Sequence, residues 1–243
     1  MVTDQEQRLI DRAAAFAREH KKRIAIELTD TTIFLPENAP VSVFMAGSPG
    51  AGKTEASKEL VALMELRPGC GKVLRIDPDD LRAFCPGYDG HNSWIYQAAV
   101  SILVDKILDR AFRQRQSFLL DGTLSQYERA KKNIDRCLSK GRAVQILYVY
   151  QDPLLAWEFV QARETEEGRQ IPVESFVDQY FAARDAVNRL KRELGPNIKV
   201  DLLVKPHDAS RRLYEAGIEQ IDNYVSETYD RASLAEGLRK EQG

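Results

Sequence analysis

The sequence predicts an α/β fold: a mostly parallel, five-stranded sheet with helices on both faces and an extra helix at the N-terminus. Three observations carry this. Short apolar runs alternate along the chain with segments long enough for helices, the order that gives parallel pairing through right-handed crossovers. The strongest runs are apolar without period-two alternation, as strands buried on both faces are. A glycine-rich octapeptide joins the first run to the helical segment after it, Gly47-Ser48-Pro49-Gly50-Ala51-Gly52-Lys53-Thr54.

Residues 4–28 carry helical spacing, with Leu9, Ala13, Phe16 and Ala17 on one face. Asn38-Ala39-Pro40 marks a turn, and Val41 to Ala46, apolar except for Ser42, reads as the first strand. A helix is expected over Thr54–Glu65. A second strand, Lys72–Ile76, ends in Asp77-Pro78-Asp79-Asp80, and a Gly/Pro-rich loop, Cys85 to Gly90, leads to a long helix over Ser93–Arg115. Phe118–Leu120 is a third strand ending in Asp121-Gly122-Thr123. A helix over 126–139 precedes the strongest strand, Ala143–Tyr150. Helices over 153–166 and 173–194 flank Gly168-Arg169-Gln170-Ile171-Pro172, Lys199–Val204 is the fifth strand, and the remainder reads as helical. The expected division is an N-terminal helical extension, 1–40, and a nucleotide-binding domain, 41–243.

Composition narrows the function. A chain of 243 residues, 43% hydrophobic, is long enough to bury a substantial core. Its formal charge of −2 supplies no global positive field for nucleic acid or an anionic membrane. The start, Met1-Val2-Thr3-Asp4-Gln5-Glu6, has no apolar signal core. No apolar run approaches the roughly 20 residues of a membrane span. The three cysteines, Cys70, Cys85 and Cys137, are odd in number and lack metal-ligand spacing, which reads as reduced thiols in the cytoplasm.

The octapeptide is a complete P-loop between a strand and a helix, and it places the fold with the P-loop nucleotide kinases. Its glycines let backbone N–H groups turn inward around a polyphosphate, and the helix N-terminus adds positive dipole. Lys53 is expected on the β- and γ-phosphates of ATP, and Thr54 on Mg²⁺. Ligands in open α/β sheets sit beyond the carboxyl ends of strands, where Asp77, Asp79, Asp80 and Asp121 fall. One carboxylate there suits Mg²⁺, a role given to Asp121, and another suits proton acceptance from an attacking hydroxyl; Asp79 is favoured for a functional role of one kind or the other. Asp80 is expected to cap a helical turn instead. Arg163 and Arg169 flank a loop between two helices and suit a transferring phosphoryl group; equally, Arg163 suits a surface pair with Glu166 or Glu167. Asp105 borders the apolar stripe Val100, Val104, Ile107 and Ala111, a position that reads by default as solvated flank. His91, Asn92 and Trp94 fall in and after the glycine-rich loop, where a substrate pocket could be lined, but a lone His in a loop reads by default as incidental and none of the three is assigned to the site.

Together these residues resemble the zeta toxin family, P-loop kinases of bacterial toxin–antitoxin systems. The resemblance spans roughly residues 41–205 and runs through Phe44-Met45-Ala46 with the P-loop, Arg75-Ile76-Asp77-Pro78-Asp79, Leu120-Asp121-Gly122-Thr123, and Arg163 with Arg169-Gln170-Ile171-Pro172. It implies ATP-dependent phosphorylation of a UDP-activated amino sugar, typically at the 3′-hydroxyl of UDP-N-acetylglucosamine, which starves cell-wall synthesis. It further implies that Asp79 is the base, that Lys53 is the P-loop lysine, and that Arg163 and Arg169 clamp the phosphate. Asp105 and Thr123 are implied as substrate contacts. Asp105 replaces a glutamate of familiar members, and the stretch from Arg163 to Arg169 is shorter than theirs. The implied partner is a small helical antitoxin; the helix over 4–28 takes that role in cis if it docks near the site, but the favoured reading is that it is simply part of the domain. Two other readings share parts of the pattern. A kinase of another small molecule (an antibiotic, a nucleoside or a dinucleotide) uses the same catalytic residues. A nucleotide-dependent switch uses the P-loop, but Lys131-Lys132-Asn133-Ile134-Asp135 does not supply the Asn-Lys-x-Asp pattern of a guanine switch.

Overall fold

The structure is a computed structural model and describes residues 3–67, 70–90, 93–167, 171–205, 212–226 and 228–240. Its sheet is built from β1 (Val41–Ala46), β2 (Leu74–Ile76), β3 (Phe118–Leu120), β4 (Ala143–Tyr150), β5 (Lys199–Val204) and β6 (Leu213–Glu215), in the spatial order β2-β3-β1-β4-β5-β6. The first five strands are parallel and β6 is antiparallel to β5. The helices are α1 (Asp4–Leu28), α2 (Lys53–Glu65), α3 (Gln97–Arg113), α4 (Tyr127–Leu138), α5 (Pro153–Glu167), α6 (Val173–Leu194) and α7 (Arg231–Lys240).

β1 shows why continuous apolar runs become central strands. Successive side chains point to opposite faces. Phe44 and Ala46 therefore enter the large core beneath α1 and α3, and Val43 and Met45 enter the core under α2. Each large side chain removed from water on either face contributes about 1.5–3 kcal/mol. The polar exception, Ser42, is fully buried and accepts a hydrogen bond from Arg142 Nε at 2.7 Å. Arg142 also donates to the carbonyls of Val41 and Gln116 and lies over the rings of Phe112 and Phe118. A third cluster, around Trp157 and Phe176, joins α5, α6 and α7.

α1 is capped by Thr3, whose hydroxyl accepts from Glu6 N while the Glu6 carboxylate accepts from Thr3 N. Ala13, Ala17, Ile24 and Ala25 are buried in the same core as the α3 residues Leu103 and Ile107. α1 against α3 is the most extensive helix pair among the described residues.

The main departure from expectation is the sixth strand, in a region read as helical. Asp201, fully buried on β5, accepts from Tyr214 Oη at 2.6 Å, Gly217 N at 2.8 Å and Gln145 Nε2 at 2.6 Å, and so fastens the returning chain to the sheet edge. Three residues are too few for a period to register in sequence. The long helix also starts later than expected, because Ser93–Tyr96 forms a separate 3-10 turn.

Candidate active site

The P-loop is shaped by steric necessity in its backbone. Gly50 has φ +73°, and a Cβ there would lie 2.0 Å from the Ala156 carbonyl oxygen. At Gly47, with φ +132°, the same atom would meet Val149 O at 2.3 Å. Gly47 N donates to Thr123 O at 3.2 Å, tying the loop to the end of β3. Lys53 opens α2, and its ammonium donates to the Ser48 carbonyl at 2.6 Å and the Gly47 carbonyl at 3.1 Å. Burial pushes the Lys53 pKa down to about 8, against the opposing pull of Asp121 and Asp79.

Facing the loop is a network of charged side chains. Asp121, at the end of β3, is 6% exposed and accepts from Ser57 Oγ at 2.7 Å and Arg75 Nη2 at 2.6 Å. Arg75 also donates to Ser57 Oγ at 2.9 Å and Asp77 Oδ2 at 2.5 Å. Burial raises the Asp77 carboxyl above its ordinary value, and the neighbouring Asp79 and Asp121 add to the rise. Asp77 Oδ1 accepts from Asp79 N at 2.8 Å, fixing the backbone at the start of the Asp80–Phe84 turn. Asp77 thus takes the local turn-holding role expected of Asp80. Asp80 is exposed and pairs with Arg75 at 3.4 Å.

One cleft of about 600 Å³ is lined by Lys53, Thr54, Asp77, Asp79 and Asp121. Thr123 lines it too, its Oγ1 2.9 Å from Ser125 Oγ. Leu124 between them has φ +57°, a conformation rare for a residue with a side chain. Arg163 lines the cleft with Val160, one turn back on α5, and lies 3.8 Å from Glu55, in the first turn of α2. Its described acidic neighbour is therefore Glu55, across the P-loop. Arg169 lies outside the described residues, as do His91 and Asn92. Trp94 lines the cleft, 44% exposed. Asp105 is absent from the described lining; on α3 the lining residues are Gln97, Val100, Ser101 and Val104.

Several site residues escaped the sequence reading of chemistry. Arg75 and Asp77 lie two apart at the end of a strand, a spacing that puts both side chains on one face. Arg82, three residues after Asp79, places Nη1 2.7 Å from Asp79 Oδ1. Arg129 and Asn133, one turn apart on α4, line the same cleft. The i,i+3 and i,i+4 offsets were visible, but nothing in the sequence placed α4 over the cleft.

The donor set suits Mg²⁺ carried by a nucleotide. Such an ion takes most of its ligands from phosphates and water and needs few from the protein. Thr54 and the Asp121 carboxylate share the cleft. No group of three or more His, Cys, Asp or Glu side chains among the described residues forms a dedicated metal cage.

Comparison with known proteins follows the geometry. The family described as Zeta toxin matches residues 24–219. Among solved structures, the chain is similar to one from the PezAT chromosomal toxin-antitoxin system of Streptococcus pneumoniae, at 17% identity over 93% of this chain and 86% of that one, with a TM-score of 0.64. It is also similar to AvrRxo1-ORF1:AvrRxo1-ORF2 with sulphate ions, at 15% identity over 98% and 85% of the two chains, TM-score 0.58. The same system with ATP gives 15% identity over 97% and 85%, TM-score 0.56. At these identities the likeness establishes the fold. No curated protein matches the chain by sequence. No described helix is long and apolar enough to cross a membrane.

Proposed function

The chain belongs to the zeta toxin family and is an ATP-dependent kinase, and on that premise we propose that it phosphorylates a hydroxyl of a UDP-activated amino sugar, the 3′-hydroxyl of UDP-N-acetylglucosamine. The observation that carries this reading is the convergence of Lys53, Asp79, Asp121, Thr123 and Arg163 on one cleft. In that arrangement the P-loop amides and Lys53 hold the β- and γ-phosphates of ATP. Asp79 accepts the proton of the acceptor hydroxyl as its oxygen bonds to the γ-phosphorus and the bond to the β-γ bridging oxygen breaks, leaving ADP. Arg163, and Arg169 with it, offset charge on the transferring group. Mg²⁺, held by Thr54 and Asp121, would neutralise phosphate charge. Thr123 contacts the sugar nucleotide, and Asp105, next to Val104 on α3, is assigned to it as well.

The protein acts in this reading as a toxin in the cytoplasm, restrained by a small helical antitoxin in trans. The restraint is placed in trans because the apolar face of α1 is taken up by α3, and no described residue of α1 lines the cleft.

The test is incubation with ATP, Mg²⁺ and a panel of UDP-sugars, nucleosides, dinucleotides and aminoglycosides, with masses read for the gain of one phosphate. Phosphorylation of UDP-N-acetylglucosamine supports the reading. Transfer only to a nucleoside, dinucleotide or antibiotic replaces the acceptor and keeps the kinase. Expression in wall-building bacteria should arrest growth, with the Lys53→Ala form harmless; normal growth with abundant wild-type protein counts against a toxin.

A further inference from the structure

We propose that Arg82 is a positioning residue for the acceptor base: its guanidinium, 2.7 Å from Asp79 Oδ1, keeps the Asp79 carboxylate in place at the cleft. This rests on the reading of Asp79 as the base. Asp79 is 41% exposed at its side chain, so burial does not fix its carboxylate. Its backbone is fixed separately, by the hydrogen bond from Asp79 N to Asp77 Oδ1. The carboxylate is met by Arg82 Nη1 at 2.7 Å, from a guanidinium that is only 9% exposed and lines the cleft.

The burial of Arg82 makes the pairing consequential. A buried cation is tolerated when its charge is matched, and removing the partner leaves an uncompensated charge. Neither Arg82 Nε nor Nη1 makes a hydrogen bond among the described residues, so the described contact that balances the guanidinium charge is its ion pair with Asp79. Arg82 N also donates to Asp79 O at 3.2 Å. The two residues thus share one short turn, which keeps the guanidinium within reach of the carboxylate. The two oxygens of a carboxylate are equivalent, so a flip of the group changes nothing; what the ion pair limits is the wandering of a half-exposed side chain, by keeping one oxygen at Arg82.

The experiment compares Arg82→Met, Arg82→Lys, Asp79→Asn and the double variant Arg82→Met/Asp79→Asn, using whichever acceptor the wild type phosphorylates. Arg82→Met is expected to lower kcat about ten- to a hundredfold, the scale of misplacing a reacting group by an ångström, with KM for ATP and acceptor little changed. Arg82→Lys, which keeps the charge on a differently shaped donor, is expected to fall between wild type and Arg82→Met. The double variant is expected to be no slower than Asp79→Asn alone, because Arg82 acts only through Asp79. Losses that multiply in the double variant overturn the proposal, as does a rise in KM with kcat unchanged, which makes Arg82 a binding group. If Arg82→Met does not fold, Arg82→Lys decides: reduced kcat at unchanged KM supports the proposal, and wild-type turnover overturns it. A wild type inert toward every acceptor in the panel overturns the acceptor reading and this inference together, whereas failure in the variants alone leaves the acceptor reading standing.

Discussion

The two sides of the cleft are made differently. On the donor side the P-loop is a backbone structure within eight consecutive residues, its shape dictated by glycines whose missing Cβ atoms let carbonyls approach. On the acceptor side Asp77, Asp79 and Asp121 come from two strands and are held by side chains: Arg75 spans 46 residues to Asp121, and Ser57 spans 64. A backbone cradle tolerates no added atom, while a side-chain network tolerates substitution but loses alignment. Donor-side changes should therefore act all-or-none, and acceptor-side changes in graded steps.

The sharpest break is on the donor side. Gly50→Ala should prevent the loop from closing, since its Cβ would lie 2.0 Å from a backbone oxygen at a left-handed φ; nucleotide binding by calorimetry should vanish and the melting temperature fall. Lys53→Ala should abolish phosphoryl transfer in a coupled assay while the melting temperature holds or rises, because a desolvated ammonium is removed. A Gly50→Ala protein that binds ATP normally would erase the contrast between the sides.

On the acceptor side Asp79→Asn should lower kcat by about 10²–10⁴-fold with apparent ATP affinity little changed. Elevated pH should restore part of the loss as hydroxide replaces the missing base. Arg163→Ala should also act mainly on kcat, with no rescue by pH. Asp80→Asn should have the smallest effect, because Asp80 is exposed and reaches Arg75 only at 3.4 Å. If Asp79→Asn turns over normally while Asp121→Asn is inactive, the base belongs to β3.

A subtler effect concerns protons. The free protein's Lys53 loses its charge as pH rises through about 8, and bound phosphates favour the charged form. ATP binding should therefore take up protons above that pH, and affinity should fall as pH rises. Calorimetry in buffers of different ionisation enthalpy measures the uptake; its absence would place Lys53 away from the phosphates.

The same division explains what was legible in the sequence. β3, β4, β5 and α6 were read with the bounds that the structure gives, because apolar runs and helical periods are local signals. The P-loop was legible for the same reason. Asp79 and Asp121 were found by rule, from their place after strands, but Arg75 and Arg82 were missed as partners, because a cation beside a carboxylate reads as ordinary strand or turn composition until the chain is folded. Asp105 was placed by resemblance, while the described lining on α3 consists of Gln97, Val100, Ser101 and Val104. β6 escaped because its fastener, Asp201, looks in sequence like a charge on a strand end and is in fact wholly buried.

α3 has two working faces, and this bears on how the enzyme tells one acceptor from another. One face carries Gln97 and Ser101 into the cleft, and the other packs on α1. The acceptor's wall is therefore a partition one helix thick, and α1 is its brace. The P-loop has separate footings on β4 and α5, through Val149 and Ala156. Slackening the brace, for example by replacing Ile24 with alanine, should erode acceptor discrimination more than nucleotide handling: β1 shares the core of α1 and α3 through Phe44 and Ala46, but the P-loop is also backed by β4 and α5.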